Sequence, residues 1–226
     1  MKNSLLSRFD THVAMCSALG VVATMAAPQQ EAEAVDYVYY QPNGGAGWVV
    51  PATTSGLYIN VETQVASTTT GGALGWDINP WGSSKLSWFR DAGAGSAYMR
   101  FPGVVTGSNP GNLALGTTVD AAASYSTSGV NDTVFGPNPG EWKLNSPNYL
   151  GFSFIGADAG THYGWLRIDV GASNLTRTIM EVGYSSVIGQ AVIVGQAVPE
   201  PSTVIMGLLA SGATGVIAWR RRRQTA

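Results

Sequence analysis

The sequence predicts an all-β protein: a single antiparallel β-sandwich or jelly-roll-like domain, flanked by an N-terminal signal helix and a C-terminal transmembrane helix. Three observations carry this. Short β-prone runs alternate with strong turn signals throughout residues 35–197. Only 12% of the 226 residues are charged while 29 are glycine, a profile of sheets joined by tight turns rather than of long helices. Long charge-free apolar stretches occur at the two ends, where they read as membrane-interacting segments.

At the N-terminus, Met1 to His12 is polar and carries Lys2 and Arg8, and Val13 to Ala27 then runs without a charge. A basic lead, a short apolar stretch and the small-x-small site Ala32-Glu33-Ala34 are the parts of a Sec signal peptide, so residues 1–34 are expected to be removed by signal peptidase after Ala34. An uncleaved anchor is the alternative, which the shortness of the apolar stretch disfavours. Cys16, the only cysteine, falls in this segment, so the mature domain is expected to hold together without a disulfide.

Residues 35–197 form the expected extracytoplasmic domain. Candidate strands are Leu57 to Val65, Lys85 to Arg90, Ala97 to Val105, Tyr149 to Ile155, Tyr163 to Val170, Thr176 to Tyr184 and Ala191 to Val194. Period-two alternation sets Leu57, Ile59 and Val61 against Tyr58, Asn60 and Glu62, and Leu166, Ile168 and Val170 against Trp165, Arg167 and Asp169, the mark of half-buried antiparallel strands. Turns are expected at Pro42-Asn43-Gly44-Gly45, Asn79-Pro80-Trp81-Gly82, 107–112, 136–140 and Asn145-Ser146-Pro147-Asn148.

Charge narrows the partners. The region holds ten acids (Asp36, Glu62, Asp77, Asp91, Asp120, Asp132, Glu141, Asp158, Asp169, Glu181) against six bases (Lys85, Arg90, Arg100, Lys143, Arg167, Arg177). No basic cluster is present to displace counterions from phosphates, so a nucleic-acid partner is not expected. Chemistry is equally sparse. With one histidine, His162, and no cysteine, the domain cannot assemble a zinc site of the usual nitrogen and sulfur ligands, and no Gly-x-Ser-x-Gly elbow offers a serine for that histidine to activate. His162 therefore reads as a surface or loop residue at the start of a strand. Asp77-Ile78-Asn79 lacks the rest of a calcium loop, and the glycine clusters lack the Lys-Ser/Thr of a phosphate loop, so neither a metal nor a cofactor is expected. No catalytic residue is assigned and the chain is not expected to be an enzyme. Trp76, Trp81 and Trp88 are the suggestive cluster: exposed, they could stack on sugar rings; buried, they are core.

The C-terminal segment 198–226 is the most specific. Val198-Pro199-Glu200-Pro201-Ser202 precedes Thr203 to Trp219, which has no charged residue, and then Arg220, Arg221, Arg222 and Arg223. As a helix, 203–219 spans about 26 Å, enough to cross a hydrocarbon core, and the four arginines form a stop-transfer signal that keeps the C-terminus cytoplasmic. The Pro199-Glu200-Pro201 tripeptide, the short span and the arginine cluster resemble the PEP-CTERM sorting signal. The resemblance covers about residues 198 to 223 and implies processing near the tripeptide by an exosortase in the inner membrane, followed by delivery to the cell surface or extracellular matrix. Residues 149–154 and 162–168 resemble a strand pair of other proteins with this tail, a likeness that assigns no activity. A structural or adhesive role, with exopolysaccharide as a partner, is the expectation. The alternatives are a carbohydrate-binding module using Trp76, Trp81 and Trp88, and a surface glycosidase whose two carboxylates the sequence does not single out.

Overall fold

The computed structural model describes residues 36–90, 95–103 and 109–197. The predicted signal segment 1–34, the sorting motif, the predicted transmembrane helix 203–219 and the predicted arginine stop lie outside the described residues, as does the end of the predicted Ala97–Val105 strand.

The described residues form fourteen strands in three antiparallel sheets. They are β1 (Tyr37–Tyr40), β2 (Trp48–Val49), β3 (Tyr58–Asn60), β4 (Val65–Ser67), β5 (Ile78–Trp81), β6 (Ser87–Arg90), β7 (Ala97–Met99), β8 (Thr118–Val119), β9 (Tyr125–Ser126), β10 (Val130–Asp132), β11 (Ser146–Ile155), β12 (Thr161–Val170), β13 (Arg177–Ser185) and β14 (Val192–Ile193). The large sheet runs β1-β13-β12-β11-β7-β9, with β2 also on β13; the smaller runs β10-β6-β5-β3-β4; β14 and β8 pair apart from both. Among the described residues, helix is confined to two 3-10 turns, Pro42–Gly45 and Thr70–Gly72. The all-β expectation is met.

Alternation builds the sandwich. Leu150, Phe152 and Phe154 of β11, Leu166 and Ile168 of β12, and Val182 and Tyr184 of β13 point to one side, where they meet Ile59, Ile78 and Trp88 of the smaller sheet in a sealed core. The intervening residues face the other way. Met99, Tyr163 and Trp165 from that opposite face pack with Val119 of β8 and Val192 of β14, so the short pair covers part of the large sheet as a third layer.

Three sequence expectations need correction. Leu57 to Val65 is two strands, not one: Asn60 Oδ1 accepts the Thr63 amide at 2.8 Å, an Asx-type turn that reverses the chain, with Gln64 left-handed at φ 57° before β4 begins. Asn79-Pro80-Trp81 is strand rather than turn. Proline is tolerated in β5 because its carbonyl accepts the Leu57 amide at 2.9 Å where the neighbouring strand is only starting, so the missing N–H leaves no ladder bond broken. In Asn145-Ser146-Pro147-Asn148 only Asn145, at φ 52°, makes the turn. The other three open β11, where Pro147 faces β12 on one side, and β7 joins on the other only at Phe152 and Ser153.

Candidate functional site

The three tryptophans of the cluster differ in exposure. Trp88 is fully buried on the inward face of β6, its ring 5.7 Å from those of Tyr98 and Trp142. Trp76 retains 9% of its surface, edge-on to Tyr58 at 5.1 Å and beside Phe89 at 5.9 Å. Trp81 is half-buried, with an indole nitrogen that has no hydrogen-bond partner. Stacking through Trp88 is therefore ruled out by its burial, and the ring of β6 that reaches solvent is Phe89, opposite Val130 in the β6–β10 pairing.

His162 is a buried strand residue rather than a surface one, only 2% exposed. Phe154, directly across the β11–β12 ladder, stacks on the imidazole at 5.4 Å. Nδ1 lies 2.9 Å from the Ser185 carbonyl oxygen and Nε2 lies 3.0 Å from Asp158 Oδ1. This is not a hydrolytic triad. The serine hydroxyl is engaged elsewhere, donating or accepting at Asp36 O, Val187 O, Val187 N and Gln190 Oε1, and the histidine meets only the Ser185 backbone.

A polar and aromatic patch occupies the part of the large sheet's second face that β8 and β14 leave uncovered. Arg167 of β12 forms a bidentate pair with Asp169, both contacts 2.9 Å, and donates to Glu181 of β13 at 2.7 Å. The carboxylates, Asp169 foremost, hold the guanidinium above its ordinary pKa. Across the ladder lies Tyr149, and one row along, Tyr39 and Tyr149 both lie 6.2 Å from the buried Trp165 ring. Gly183 makes room for that indole, whose N–H donates to Tyr37 Oη at 2.8 Å. Two carboxylates joined through one guanidinium are not the pair that flanks a glycosidic bond across a cleft. Sequence reasoning placed Arg167 and Asp169 on one face but missed Glu181, and only the hairpin register brings it to them.

Elsewhere the described polar groups serve the fold. Lys85 pairs with Asp132, which also accepts from Ser87 at 2.8 Å. Glu141 closes the Gly136–Gly140 turn through the Asn138 amide and side chain. A surface depression is lined by Met99, Arg100, Thr118, Asp120 and Ser124, and there the Arg100 guanidinium donates to Ser124 Oγ at 2.8 Å. Among the described residues no three His, Cys, Asp or Glu side chains gather as a metal site.

The comparison with known families finds its match outside this domain: residues 197–223 match the PEP-CTERM protein-sorting motif. That stretch contains Pro199, Glu200, Pro201 and Arg220 to Arg223. The chain thus carries a sorting tail of the kind that an exosortase processes, which implies export and sorting to the cell surface. No curated protein and no solved structure matches it.

Proposed function

We propose that the chain is a structural or adhesive component of the cell surface or exopolysaccharide matrix, without catalytic activity. It would be exported through Sec, tethered by its C-terminal helix, and handed on by the exosortase. The observation that carries this reading is the sorting motif at 197–223 behind a β-sandwich whose described charged groups are largely committed to internal bonds. The test compares intact mass and cell fraction of the native protein with a variant in which Pro199, Glu200 and Pro201 are alanine. The native form should lose both ends and sit in the matrix, the variant should stay in the inner membrane with its tail, and equal retention of the arginine tail in both would overturn the reading.

A second reading, adhesion by direct sugar contact, is favoured by one observation: the half-buried Tyr39 and Tyr149 rings beside the Arg167, Asp169 and Glu181 array. Aromatic faces next to fixed polar acceptors suit hexose rings. Retention on extracellular polysaccharide from the producing cells that is lost in Tyr149→Ala, and kept in Phe89→Ala, is the expected outcome. No retention of the native protein would remove this reading.

A further inference from the structure

The β11–β12 hairpin ends in a tight turn, residues 156–160, that meets one buried ring. Its turn is held internally by Gly156 N–H to the Gly160 carbonyl at 2.9 Å, with Ala159 in the left-handed region at φ 61°. Two carboxylates add to this, one from outside the turn and one from within it. Glu62 Oε2, from the turn between β3 and β4, accepts the Ala157 amide at 2.9 Å. Asp158 Oδ1 accepts both the Gly160 amide at 2.9 Å and the His162 ring at 3.0 Å.

Both nitrogens of His162 face acceptors: a backbone carbonyl on Nδ1 and a carboxylate on Nε2. A carbonyl and an ionised carboxylate have no proton to give, so satisfying both contacts requires an N–H at each ring nitrogen, which only the imidazolium has. A neutral ring would set a lone pair against an oxygen at hydrogen-bond distance, in a site too buried for water to relieve it. We infer that His162, Asp158 and the Ser185 carbonyl form a pH-sensitive fastening of the hairpin tip, closed while the imidazole carries both protons and loosened in alkaline surroundings.

The side that yields is set by exposure. Ser185 belongs to a paired strand, whereas the Asp158 side chain is 46% exposed and can turn out into water. Loss of a proton therefore frees Asp158, and with it the Gly160 amide contact, while the Ser185 contact persists. The groups around the ring favour its charged form. From β11, Phe154 stacks on it; from the hairpin turn comes Asp158 and from the β3–β4 turn Glu62; from β13 come the Ser185 carbonyl and the neighbouring Tyr184, which meets Phe154 edge-on at 5.7 Å. Burial opposes the charge, but Asp158, the Ser185 carbonyl and Glu62 together outweigh it and raise the pKa above 6.5. Asp158 is moved the other way, below 3.8, chiefly by its bond to His162. A base whose pKa rises on folding contributes stability that is complete below its unfolded value and lost as pH rises through the folded one. An acid whose pKa falls contributes above its unfolded value and loses that as pH falls through the folded one. The fastening is thus shut between the lowered carboxylate and the raised imidazole.

The test follows the His162 ring by NMR in the full chain, assigned with His162→Gln, together with amide exchange of residues 156–161 corrected for the intrinsic effect of pH. The ring is expected to be doubly protonated at pH 6.5, and tip protection to fall several-fold as it titrates at higher pH. Asp158→Ala, at an exposed side chain that the packing does not require, is expected to give low tip protection at every pH and a His162 that titrates lower than in the native chain. A ring that is mostly neutral at pH 6.5, or tip protection that ignores its titration, would overturn the inference.

Discussion

Arg177 shows how a single residue can join the two sheets. It begins β13 with 1% of its surface exposed, and its guanidinium donates to the carbonyls of Gly82 at 2.6 Å and of Pro51 and Lys85 at 3.2 Å, all from loops that border the smaller sheet. Three carbonyl dipoles receive the charge, and burial draws its pKa down to about 10, which leaves it protonated in neutral water. Replacement by methionine keeps the stem but strands those carbonyls, and is expected to cost about 3 kcal/mol in urea unfolding. Lysine should recover only part of this, because an ammonium cannot reproduce the guanidinium fork. Gly183 makes the complementary point about space. A Cβ there would stand 2.1 Å from Tyr37 Oη and 2.7 Å from Trp165 Nε1, so Gly183→Ala should displace the hydroxyl, break its bond to the indole, and lower stability by about 1–3 kcal/mol in the same assay.

At the scale of elements, the long strands were legible because alternation over nine or ten residues leaves little choice of face. Leu166 and Ile168 do turn to the inter-sheet core and Trp165 away from it, as the pattern required. The short strands were less legible, since their limits depend on side-chain bonds with no local periodicity: Asn60 reversing the chain onto Thr63, or Leu57 arriving to meet the Pro80 carbonyl. The same reason hid the sites. Trp76 and Trp88 are close in sequence but lie on opposite faces of the small sheet, whereas Arg167 and Glu181 are fourteen positions apart and touch because a hairpin sets them opposite one another. His162 was correctly put at a strand start, yet the Phe154 ring, the Asp158 carboxylate and the Ser185 carbonyl reach it only through the pairing of its strand and the hairpin turn before it. Strand β6 offers a direct check on the register. Trp88→Ala removes a sealed indole and should cost about 3–5 kcal/mol in chemical denaturation, while Phe89→Ala, at 39% exposure on the opposite face, should cost less than about 1 kcal/mol. A larger loss at Phe89 than at Trp88 would mean that the strand is turned over.

Across the whole molecule, the first strand of the domain pairs with its last long one, Tyr37 opposite Ser185, so the sheet closes only when both ends of the domain are present. The Ser186 amide donates to the Asp36 carbonyl at 3.0 Å, one residue ahead of β1. Tyr37 ties β1 to residue 196. Its hydroxyl accepts the Trp165 N–H and donates to the Gln196 carbonyl at 2.6 Å, just ahead of the sorting motif at 197–223. Burial pushes that phenol up to about 12, so it keeps its proton and its ability to donate throughout the neutral range. One hydroxyl thus links β1, the β12 core and the point from which the tail departs. Tyr37→Phe retains the ring but leaves the buried indole without an acceptor, and should lower stability by about 1–3 kcal/mol. The stronger expectation is local. Amide exchange and protease cleavage around residues 194–197 should increase in Tyr37→Phe while β11 and β12 stay protected. Cleavage unchanged at this junction would show that Gln196 is held by its amide bond to the Ile193 carbonyl and the neighbouring Val194 contacts with Thr117 and Gly116, rather than by the tyrosine.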